Sequence, residues 1–354
     1  MTHTAAIVGA GVGGLSAALG LRRAGWQVSV LEKWPQVVGT GAALGLWPEA
    51  QSALERLGLG EELRRTAVPY EFGEIRTSEG RRLTPLPVAR IRRRTGRFVV
   101  LLSRTSLMTM LLDAVTRAGV AIETDVRITD PEQLATDHDV VVGADGLRSA
   151  VRRAYFGNAT APRDARFTAW RGSVDVETGW YGETWGRGRF FGITPMEPGR
   201  TNWYAAVRHE SPRRDAGVAL QDLLVMYEGW PEPIEDVLSA TKPESVLQHE
   251  VFDLAPPLPS YVRGNAVLVG DAAHAMTPSL GQGACQALID GVALAGALAG
   301  TDDVAAALRA YDAQRRRPTQ RFVAGSARAS RIGLAEHWIG VRSAVLRMSA
   351  PLAR

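Results

Sequence analysis

The residues best suited to chemistry are three glycines near the start of the chain and one carboxylate after them. Gly9, Gly11 and Gly14 have the spacing G-x-G-x-x-G, directly after an apolar run that favours a buried strand. In a strand–turn–helix, these glycines permit a tight turn, close approach of a pyrophosphate and close packing of helix on strand. Glu32 ends the next apolar run, where an acidic side chain accepts hydrogen bonds from a ribose. The pattern predicts a dinucleotide site with its phosphates at the first helix N-terminus.

A second segment with a candidate functional side chain covers residues 139–152. Its apolar strand runs into Gly143, and Asp145 and Gly146 then form a turn that enters a helix. Asp145 therefore stands at the carboxyl end of a strand, where open α/β sheets bind their ligands. In a second interpretation it is a helix cap or turn residue, because a short carboxylate accepts hydrogen bonds from free N–H groups. The sequence leaves both roles open.

The third segment runs from residue 264 to residue 284. A short apolar strand reaches Gly270, and Asp271 follows at its tip. Pro278, Gly281 and Gly283 then shape a loop whose backbone N–H groups can face a ligand, before a helix of small residues. A helix N-terminus beside an electron-accepting ring would stabilise the negative charge that develops on reduction.

Alternating strands and helices are expected to position these segments. The pattern predicts a helix over residues 48–59, helical spacing from residue 101 with Ser103 as N-cap, and strands over 120–126 and 139–142. Residues 68–100 are short alternating runs broken by glycine and proline, which is typical of antiparallel strands. The first unit and the later strands therefore indicate a parallel sheet interrupted by an antiparallel segment.

Residues 167–207 are rich in aromatic side chains and carry turn signals between alternating runs, which predicts a second antiparallel region. The aromatics could line a pocket for a planar, apolar substrate. They could equally form the core under the sheet, and for any single aromatic residue the core is the favoured interpretation.

Composition narrows the class of protein. The 354 residues are 45% apolar and 22% charged with a net charge of +4, which is ordinary for a globular enzyme. The only cysteine, Cys285, permits no intrachain disulfide, and with no signal peptide or membrane-spanning run we expect a cytoplasmic protein. The arginine clusters at 90–94 and 315–317 lack interleaved aromatics, so we expect solvated surface rather than a nucleic-acid site. A tail from residue 333 is expected to be a capping helix packed on the protein rather than a membrane-surface helix.

Together the three segments resemble the single-component (group A) flavoprotein aromatic monooxygenases, the family of para-hydroxybenzoate hydroxylase. The branch most similar holds salicylate, 3-hydroxybenzoate and urate hydroxylases and zeaxanthin epoxidase-like enzymes, and the resemblance spans Ala5 to about Ala329. It implies an α/β fold: a Rossmann-like FAD-binding domain (1–67, 101–165 and 260–330), an inserted antiparallel-sheet substrate domain (68–100 and 166–259) and a C-terminal helix (331–354).

The resemblance also implies non-covalent FAD. The glycine turn would hold the pyrophosphate, Glu32 the adenosine ribose, the Val126 backbone the adenine, Asp271 the ribityl chain, and the loop from Gly281 the flavin ring. The full expected cofactor set is Gly9, Gly11, Val12, Gly13, Gly14, Glu32, Lys33, Arg104, Val126, Asp145, Asp271, Pro278, Gly281, Gln282, Gly283 and Ala284.

The implied reaction needs NADH or NADPH as a transient co-substrate, O₂ and a small aromatic or polycyclic substrate. Reduced flavin forms a 4a-hydroperoxide with O₂, which transfers one oxygen atom, while the protein excludes water and positions the substrate. Relatives place substrate contacts on the aromatic sheet, which suggests Arg189 and Tyr204 as catalytic residues and Trp185, Trp203 and Pro278 as substrate contacts. No metal is implied, and the chain is expected to be a monomer or homodimer.

The motifs are compatible with several reactions. Hydroxylation, epoxidation and Baeyer–Villiger insertion share one intermediate, and an oxidase or a non-catalytic flavin-binding scaffold is also compatible. A halogenase is disfavoured because its W-x-W-x-I-P signature is absent, and urate because the arginine–tyrosine pair of urate-type enzymes is not found. His274 is interpreted as loop scaffold rather than a base, and Cys285 as a packing residue. Glu49 stands where relatives have asparagine.

Overall fold

The computed structural model describes residues 2–37, 43–209 and 220–353. The domain ranges expected from the sequence extend beyond it at residues 1, 38–42, 210–219 and 354, which lie outside the described residues. None of the described helices is both long enough and apolar enough to span a bilayer.

The strands of the described ranges, in chain order, are β1 (Thr4–Val8), β2 (Gln27–Leu31), β3 (Ala43–Leu46), β4 (Val68–Tyr70), β5 (Glu74–Thr77), β6 (Arg82–Pro85), β7 (Val99–Ser103), β8 (Ala121–Glu123), β9 (Val140–Gly143), β10 (Ala161–Val174), β11 (Gly182–Trp185), β12 (Arg189–Pro195), β13 (Thr201–Arg208), β14 (Leu247–Ala255), β15 (Val262–Arg263) and β16 (Ala266–Leu268).

The helices of the same ranges are α1 (Val12–Arg23), α2 (Pro48–Arg56), α3 (Gly60–Thr66), α4 (Val88–Thr95), α5 (Arg104–Arg117), α6 (Leu134–Asp137), α7 (Ala150–Phe156), α8 (Leu220–Met226), α9 (Ile234–Ser239), α10 (Asp271–His274), α11 (Gly283–Ala299), α12 (Val304–Gly333) and α13 (Ile339–Ala353). Single 3₁₀ turns lie at Pro243–Ser245 and Pro278–Leu280.

A six-stranded sheet organises the first layer, in the order β15-β16-β9-β1-β2-β8. All its pairings are parallel except that of β15 with β16. The central strands β1 and β9 are buried along nearly their whole length, which explains their continuous apolar sequence. Strand order reverses at β1, because β2 lies on one side of it and β9 on the other, and ligands of such sheets bind at this switch point.

A seven-stranded sheet forms the second layer, in the order β14-β10-β13-β12-β11-β5-β6. All its pairs are antiparallel except β11 with β5. Its outer face, which carries Trp170, Phe191 and Trp203, packs against α8 and α9. Its inner face carries Phe167, Ala169 and Arg171 of β10 and their partners Arg208, Ala206 and Tyr204 of β13. This face packs against the end of α12.

The segment expected to be antiparallel strands divides between two sheets. β4 and β7 join β3 in a small sheet, whereas β5 and β6 form one edge of the large sheet. Between them lies α4, a helix that the sequence analysis did not predict; only Val88 of it is buried, and Gly96 ends it at φ +72°. Its short, arginine-rich sequence carries too few apolar positions for a helical pattern to show.

Other local predictions are confirmed. The helix expected at 48–59 is α2, and Ser103 caps α5 by accepting a hydrogen bond from the Ser106 N–H. The tail is more divided than expected, since α12 continues to Gly333 and α13 begins at Ile339. α13 packs near β6 and buries Arg342, while Trp338 remains 81% exposed.

Candidate active site

The glycine turn after β1 is built for close packing. Gly9 has φ +106°, and a Cβ there would lie 2.5 Å from the Ala144 carbonyl oxygen in the turn after β9. A Cβ on Gly14 would lie 2.0 Å from the Gly9 carbonyl oxygen. Both positions therefore require glycine, and they hold the turns after β1 and β9 against each other at the switch point.

Gly11 differs, because a Cβ there would meet no atom within 4 Å. It is the N-cap of α1, at φ −75°, and the first turn of the helix holds no acidic side chain. First-turn N–H groups have no partner within their helix, so this open space is lined by free donors at the positive end of the helix dipole. Val12 and Gly13 begin the helix beside it, with a Gly13 Cβ position 3.4 Å from the Val269 side chain. The cradle fits a pyrophosphate.

Glu32 follows β2 and is buried beside that cradle. Its carboxylate accepts hydrogen bonds from the backbone N–H groups of Ala10 (2.7 Å) and Trp34 (3.1 Å). A carboxylate has about four acceptor positions, so capacity remains for a ribose. The Val126 N–H donates to the Glu32 carbonyl oxygen at 2.8 Å, which brings these two predicted cofactor residues together. The Lys33 ammonium lies 5.5 Å from the centre of the Trp34 ring.

Asp145 shows the features of both interpretations left open by the sequence. Its Oδ2 accepts hydrogen bonds from the N–H groups of Ala150 (2.6 Å) and Val151 (3.2 Å) at the start of α7, so it is a helix-capping residue. Its Oδ1 is buried with no hydrogen-bond partner among the described residues. A buried, unsatisfied carboxylate oxygen is costly, and its position next to Gly9 leaves it available to a ligand or a water.

The turn before Asp271 is fixed from behind by a buried ionic network. Gly270 has φ +58°, and its N–H donates to Asp290 Oδ2 at 2.9 Å. The same carboxylate contacts His274 Nε2 at 2.5 Å and accepts from Arg315 Nε at 2.6 Å. Burial raises the pKa of Asp290, but His274 and Arg315 outweigh it and hold that pKa below its usual value. Asp271 itself is exposed as the first residue of α10.

This network corrects one expectation and supports another. Arg315 is 7% exposed, so the cluster at 315–317 is not wholly solvated surface; Arg315 compensates the buried charge of Asp290. His274 is 1% exposed and faces Asp290, which fits loop scaffold rather than a base at the site. The sequence analysis did not select Asp290. A single carboxylate in an otherwise apolar helix could have indicated a buried charge that needs partners.

The loop after α10 ends at the start of α11. Gly281 takes φ +61° after the turn Pro278–Leu280, and Gly283 begins the helix with open space beside its Cα. Gln282 is buried and accepts a hydrogen bond from Gln286 Nε2. The 17-residue helix α11 therefore directs its N-terminus, at Gly283 and Ala284, towards open space. Cys285 is fully buried and its thiol donates to the Gly45 carbonyl oxygen at 3.1 Å, in keeping with a packing role.

The inner face of the second sheet contacts β3 and shares a cavity with Thr277, next to Pro278. Asn202 accepts a hydrogen bond at Oδ1 from the Ala43 N–H of β3, and Tyr204, two residues further along β13, lies on the same side. Tyr204 packs over Gly192, where a Cβ would lie 2.1 Å from the ring. Its hydroxyl donates to Glu183 Oε1 at 2.7 Å, and Trp185 Nε1 donates to Glu183 Oε2 at 2.6 Å.

Two arginines lie next to this group. Arg171 pairs across the sheet with Tyr204, and burial followed by the charge of Arg104 lowers the pKa of Arg171. Arg104, the first residue of α5, is exposed and also lies close enough to His249 to depress its pKa, after burial and Arg171. The inner face thus combines aromatic rings, an enclosed carboxylate and positive charge.

Known proteins share this architecture. A family model described as an FAD binding domain matches residues 2–326. Aurachin C monooxygenase/isomerase of Stigmatella aurantiaca is 33% identical over 98% of this chain and 94% of its own. The protein belongs to this FAD-binding family. The FAD-dependent urate hydroxylase of Klebsiella pneumoniae subsp. pneumoniae is 32% identical over 88% of this chain and 85% of its own.

Solved structures agree with the family assignment. The structure of Klebsiella pneumoniae HpxO with FAD and uric acid superposes with a TM-score of 0.89 at 27% identity, covering 99% of this chain and 95% of that one. A salicylate hydroxylase structure at 22% identity shares the fold, with a TM-score of 0.81. The chain is therefore an FAD-dependent monooxygenase of the para-hydroxybenzoate hydroxylase-like class, as its three motifs predicted.

Of the expected FAD residues, Gly9, Gly11, Glu32, Val126, Asp145 and Asp271 follow the carboxyl ends of strands of the parallel sheet and so lie along one edge of it. By contrast, Arg189, expected as a catalytic residue, and Trp203, expected as a substrate contact, are not on the inner face. Trp203 is fully buried on the outer face, where its Nε1 donates to Thr241, and Arg189 lies 5.9 and 5.7 Å from the ring centres of Tyr227 and Trp230. Both side chains lie on the outer face, on the opposite side of the sheet from Tyr204, because successive residues of a strand point to opposite sides. Glu183 and Arg171, which the sequence analysis did not select, lie on the inner face with Tyr204.

Proposed function

We propose that the protein uses NAD(P)H and O₂ to hydroxylate a small aromatic or polycyclic molecule while FAD is bound at the edge of the parallel sheet. One observation carries the proposal: the inner face of the second sheet accepts a hydrogen bond at Asn202 from Ala43 of β3 and shares a cavity with Thr277, next to Pro278. A flavin ring held by the loop at Gly281–Ala284 and a substrate on that face would share one enclosed space.

The residues of the three segments would each bind a different part of FAD. The N-terminus of α1 at Gly11 would hold the pyrophosphate, Glu32 the ribose of the adenosine and Asp271 the ribityl chain. When bound, FAD supplies hydride acceptance and the activation of O₂. The protein contributes orientation and exclusion of water, with Trp185, Tyr204 and Pro278 as proposed substrate contacts.

Aromatic substrates are supported by the relatives. The names of the curated relatives include urate hydroxylase, 3-hydroxybenzoate 6-hydroxylase and 3-amino-4-hydroxybenzoate 2-monooxygenase. The aromatic lining of the inner face, with Tyr204 and Trp185 beside Phe190, offers a surface on which a planar ring can stack. The sequence holds no second dinucleotide fingerprint, which favours transient binding of NAD(P)H.

The test is NAD(P)H oxidation by the purified holoenzyme across a panel of phenols and polycyclic aromatics, with oxygen uptake followed in parallel. We expect one compound class to stimulate oxidation and to yield a product heavier by one oxygen atom, with the label from ¹⁸O₂. A flavin-containing protein that no compound stimulates, or that consumes O₂ only to release hydrogen peroxide, would contradict the proposal.

A substitution tests the cofactor site separately. Asp271→Ala removes a charged hydrogen-bond acceptor from an exposed helix start, so FAD affinity should fall by about 10- to 100-fold with little change in folding. Asp113→Ala, an exposed position on α5, is the matched control and should leave FAD affinity unchanged. Equal flavin retention by Asp271→Ala and wild type would show that the ribityl chain binds elsewhere.

A further inference from the structure

The last helix of the chain packs on the protein by its polar side. Arg342 and Ser343 of α13 are buried, and Arg342 donates hydrogen bonds to the carbonyl oxygens of Gly186, at 3.2 Å, and Gly333, at 3.1 Å. These bonds fix α13 to the turn after β11 and to the end of α12. The helix caps the protein as the sequence analysis expected, but a packed surface helix normally turns its apolar side inwards. In α13 this arrangement is reversed.

The outward side of α13 carries apolar side chains. Val341, Val345 and Met348 are each more than half exposed, and their spacing of four and three residues places them on one side of the helix. Trp338, the residue before the helix, is also exposed, and these four side chains form the apolar row. Five of the nine large apolar side chains that are exposed in the described ranges lie within residues 332–348. Such clustering marks a contact surface, because single exposed apolar residues are ordinary and a contiguous patch is not.

A row of positive charge lies on the preceding helix. The arginine row consists of four exposed side chains of α12, Arg317, Arg321, Arg328 and Arg331. Their spacing of four, seven and three residues places them on one side of that helix. None of the four forms an ion pair with an acidic side chain of the described ranges. Residues 313–354 hold nine arginines and a single acidic residue, Glu336, so this end of the chain is strongly positive.

An anionic bilayer offers a partner to both rows. A helix that lies on a bilayer buries its apolar side chains, tryptophan among them, at the boundary between headgroups and acyl chains, while arginines attract anionic headgroups. A second protein fits less well, because a stable protein–protein interface takes about 20–30 residues on each side and the apolar row has only four. The helix would lie along the bilayer, since no described helix is long and apolar enough to span one.

We propose that the apolar row and the arginine row bind this protein to the surface of a membrane that contains anionic lipid. The apolar row enters the boundary between headgroups and acyl chains, and the arginine row contacts the headgroups. The buried contacts of Arg342 hold α13 on the protein while its outward side meets the lipid.

The same helix contacts the inner face of the second sheet. A Cβ on Gly333, which lies between the two rows, would be 3.5 Å from the Phe190 ring, and the Arg342 guanidinium lies 5.4 Å from the centre of the Trp185 ring. Both rings belong to the face on which we place the substrate. Membrane binding would therefore bring that face close to lipid, although the inference itself concerns lipid binding and does not depend on turnover.

The test is sedimentation of the FAD-loaded protein with vesicles of phosphatidylcholine alone, or of equal parts of phosphatidylcholine and phosphatidylglycerol. We expect binding to the anionic vesicles that weakens as salt is added, because salt screens the arginine charges. Arg321→Gln with Arg328→Gln should weaken this binding by about 10- to 30-fold. Val345→Ser with Met348→Ser should weaken it by about 10-fold or more, because less apolar surface is buried.

A second measurement reports the depth of the helix. Lipid that carries bromine on its acyl chains should quench part of the tryptophan emission of the wild type, and Trp338→Phe should lose that part. Because Trp338 is one of nine tryptophans, the difference between the two proteins is the signal.

Matched controls come from exposed positions outside both rows. Val225→Ser on α8 and Arg65→Gln on α3 should bind anionic vesicles as the wild type does, and circular dichroism should show every variant to be folded. The inference is overturned if the wild type binds neither vesicle or both equally, if the controls lose as much as the row variants, or if brominated acyl chains quench no emission. It is also overturned if light scattering shows a dimer that the α13 variants abolish, because the apolar row would then contact a second copy. None of these results involves turnover, so the proposed function is judged separately by NAD(P)H oxidation.

Discussion

Replacing Asp290 by asparagine should lower the free energy of unfolding more than a substitution in a surface ion pair. Asp290 is fully buried and its carboxylate binds three donors: the Gly270 N–H, His274 Nε2 and Arg315 Nε. Asparagine has nearly the same shape, so it leaves no cavity. It removes the negative charge and places an NH₂ donor next to other N–H donors, so that no acceptor is available to it.

The size of the effect follows from that geometry. Breaking a buried ion pair by removing one partner costs about 3–5 kcal/mol, because the other charge remains buried. Breaking an exposed ion pair costs only about 0–1 kcal/mol. The matched control is Glu55→Gln, because Glu55 pairs with Arg97 at 3.0 Å and the Arg97 side chain is 41% exposed. We therefore expect Asp290→Asn to lose about 4 kcal/mol of unfolding free energy. FAD affinity should fall as well, since the Gly270 turn presents Asp271.

The assay is urea unfolding followed by circular dichroism at one fixed FAD concentration, because bound ligand adds to the apparent stability. Since the folded pKa of Asp290 is depressed, its contribution is complete above the unfolded pKa of about 4 and is lost as the pH falls through the folded value. The gap between wild type and Asp290→Asn should thus be constant above about pH 5 and narrow below about pH 4.

Two results would refute this reasoning. One is a loss under about 1 kcal/mol, the range of exposed pairs. The other is a gap that widens on acidification. Replacing all three side chains by apolar ones, as in His274→Leu with Asp290→Leu and Arg315→Met, should recover much of the loss, because no charge is then left buried.

Two further predictions concern the cofactor cradle and the thiol. Gly11→Ala has room for its methyl group in the protein alone, so stability should hold while overlap with the pyrophosphate weakens FAD binding by about 10- to 100-fold. Gly296→Ala, where a Cβ also meets nothing, is its control, and equal FAD affinities in a flavin titration would contradict the cradle assignment. Burial raises the pKa of Cys285 to about 12, so Ellman's reagent should not react with the native protein at pH 8. In denaturant the reagent should titrate one thiol. A rapid reaction of the native protein would contradict the burial of Cys285 at the start of α11.

The cofactor half of the site could be predicted because its signals are local. Gly9, Gly11 and Gly14 are required by the backbone of a single turn, and Glu32 follows the next strand at a fixed distance. Ser103 as a helix cap is equally local, since its hydroxyl bonds a residue three positions away. Such features need no knowledge of the rest of the chain.

The substrate half could not be predicted, because it depends on which side of a strand each residue faces. Trp203 and Tyr204 are neighbours in sequence, yet Trp203 is buried on the outer face against Thr241, whereas Tyr204 lies on the inner face and bonds Glu183. Strand alternation is clear from sequence only when one side is polar, and here both sides carry aromatic residues. The identity of the inner side is settled by long-range packing against β3 and α12.

The sequence by itself thus determined the fold class and the cofactor, because glycine geometry and strand–helix alternation act over short stretches of chain. Only the tertiary structure brought Glu183 to Tyr204 across 21 residues and Arg315 to Asp290 across 25. Charges in an interior are tolerated only where their partners arrive, and those partners come from strands and helices whose pairing no local pattern specifies.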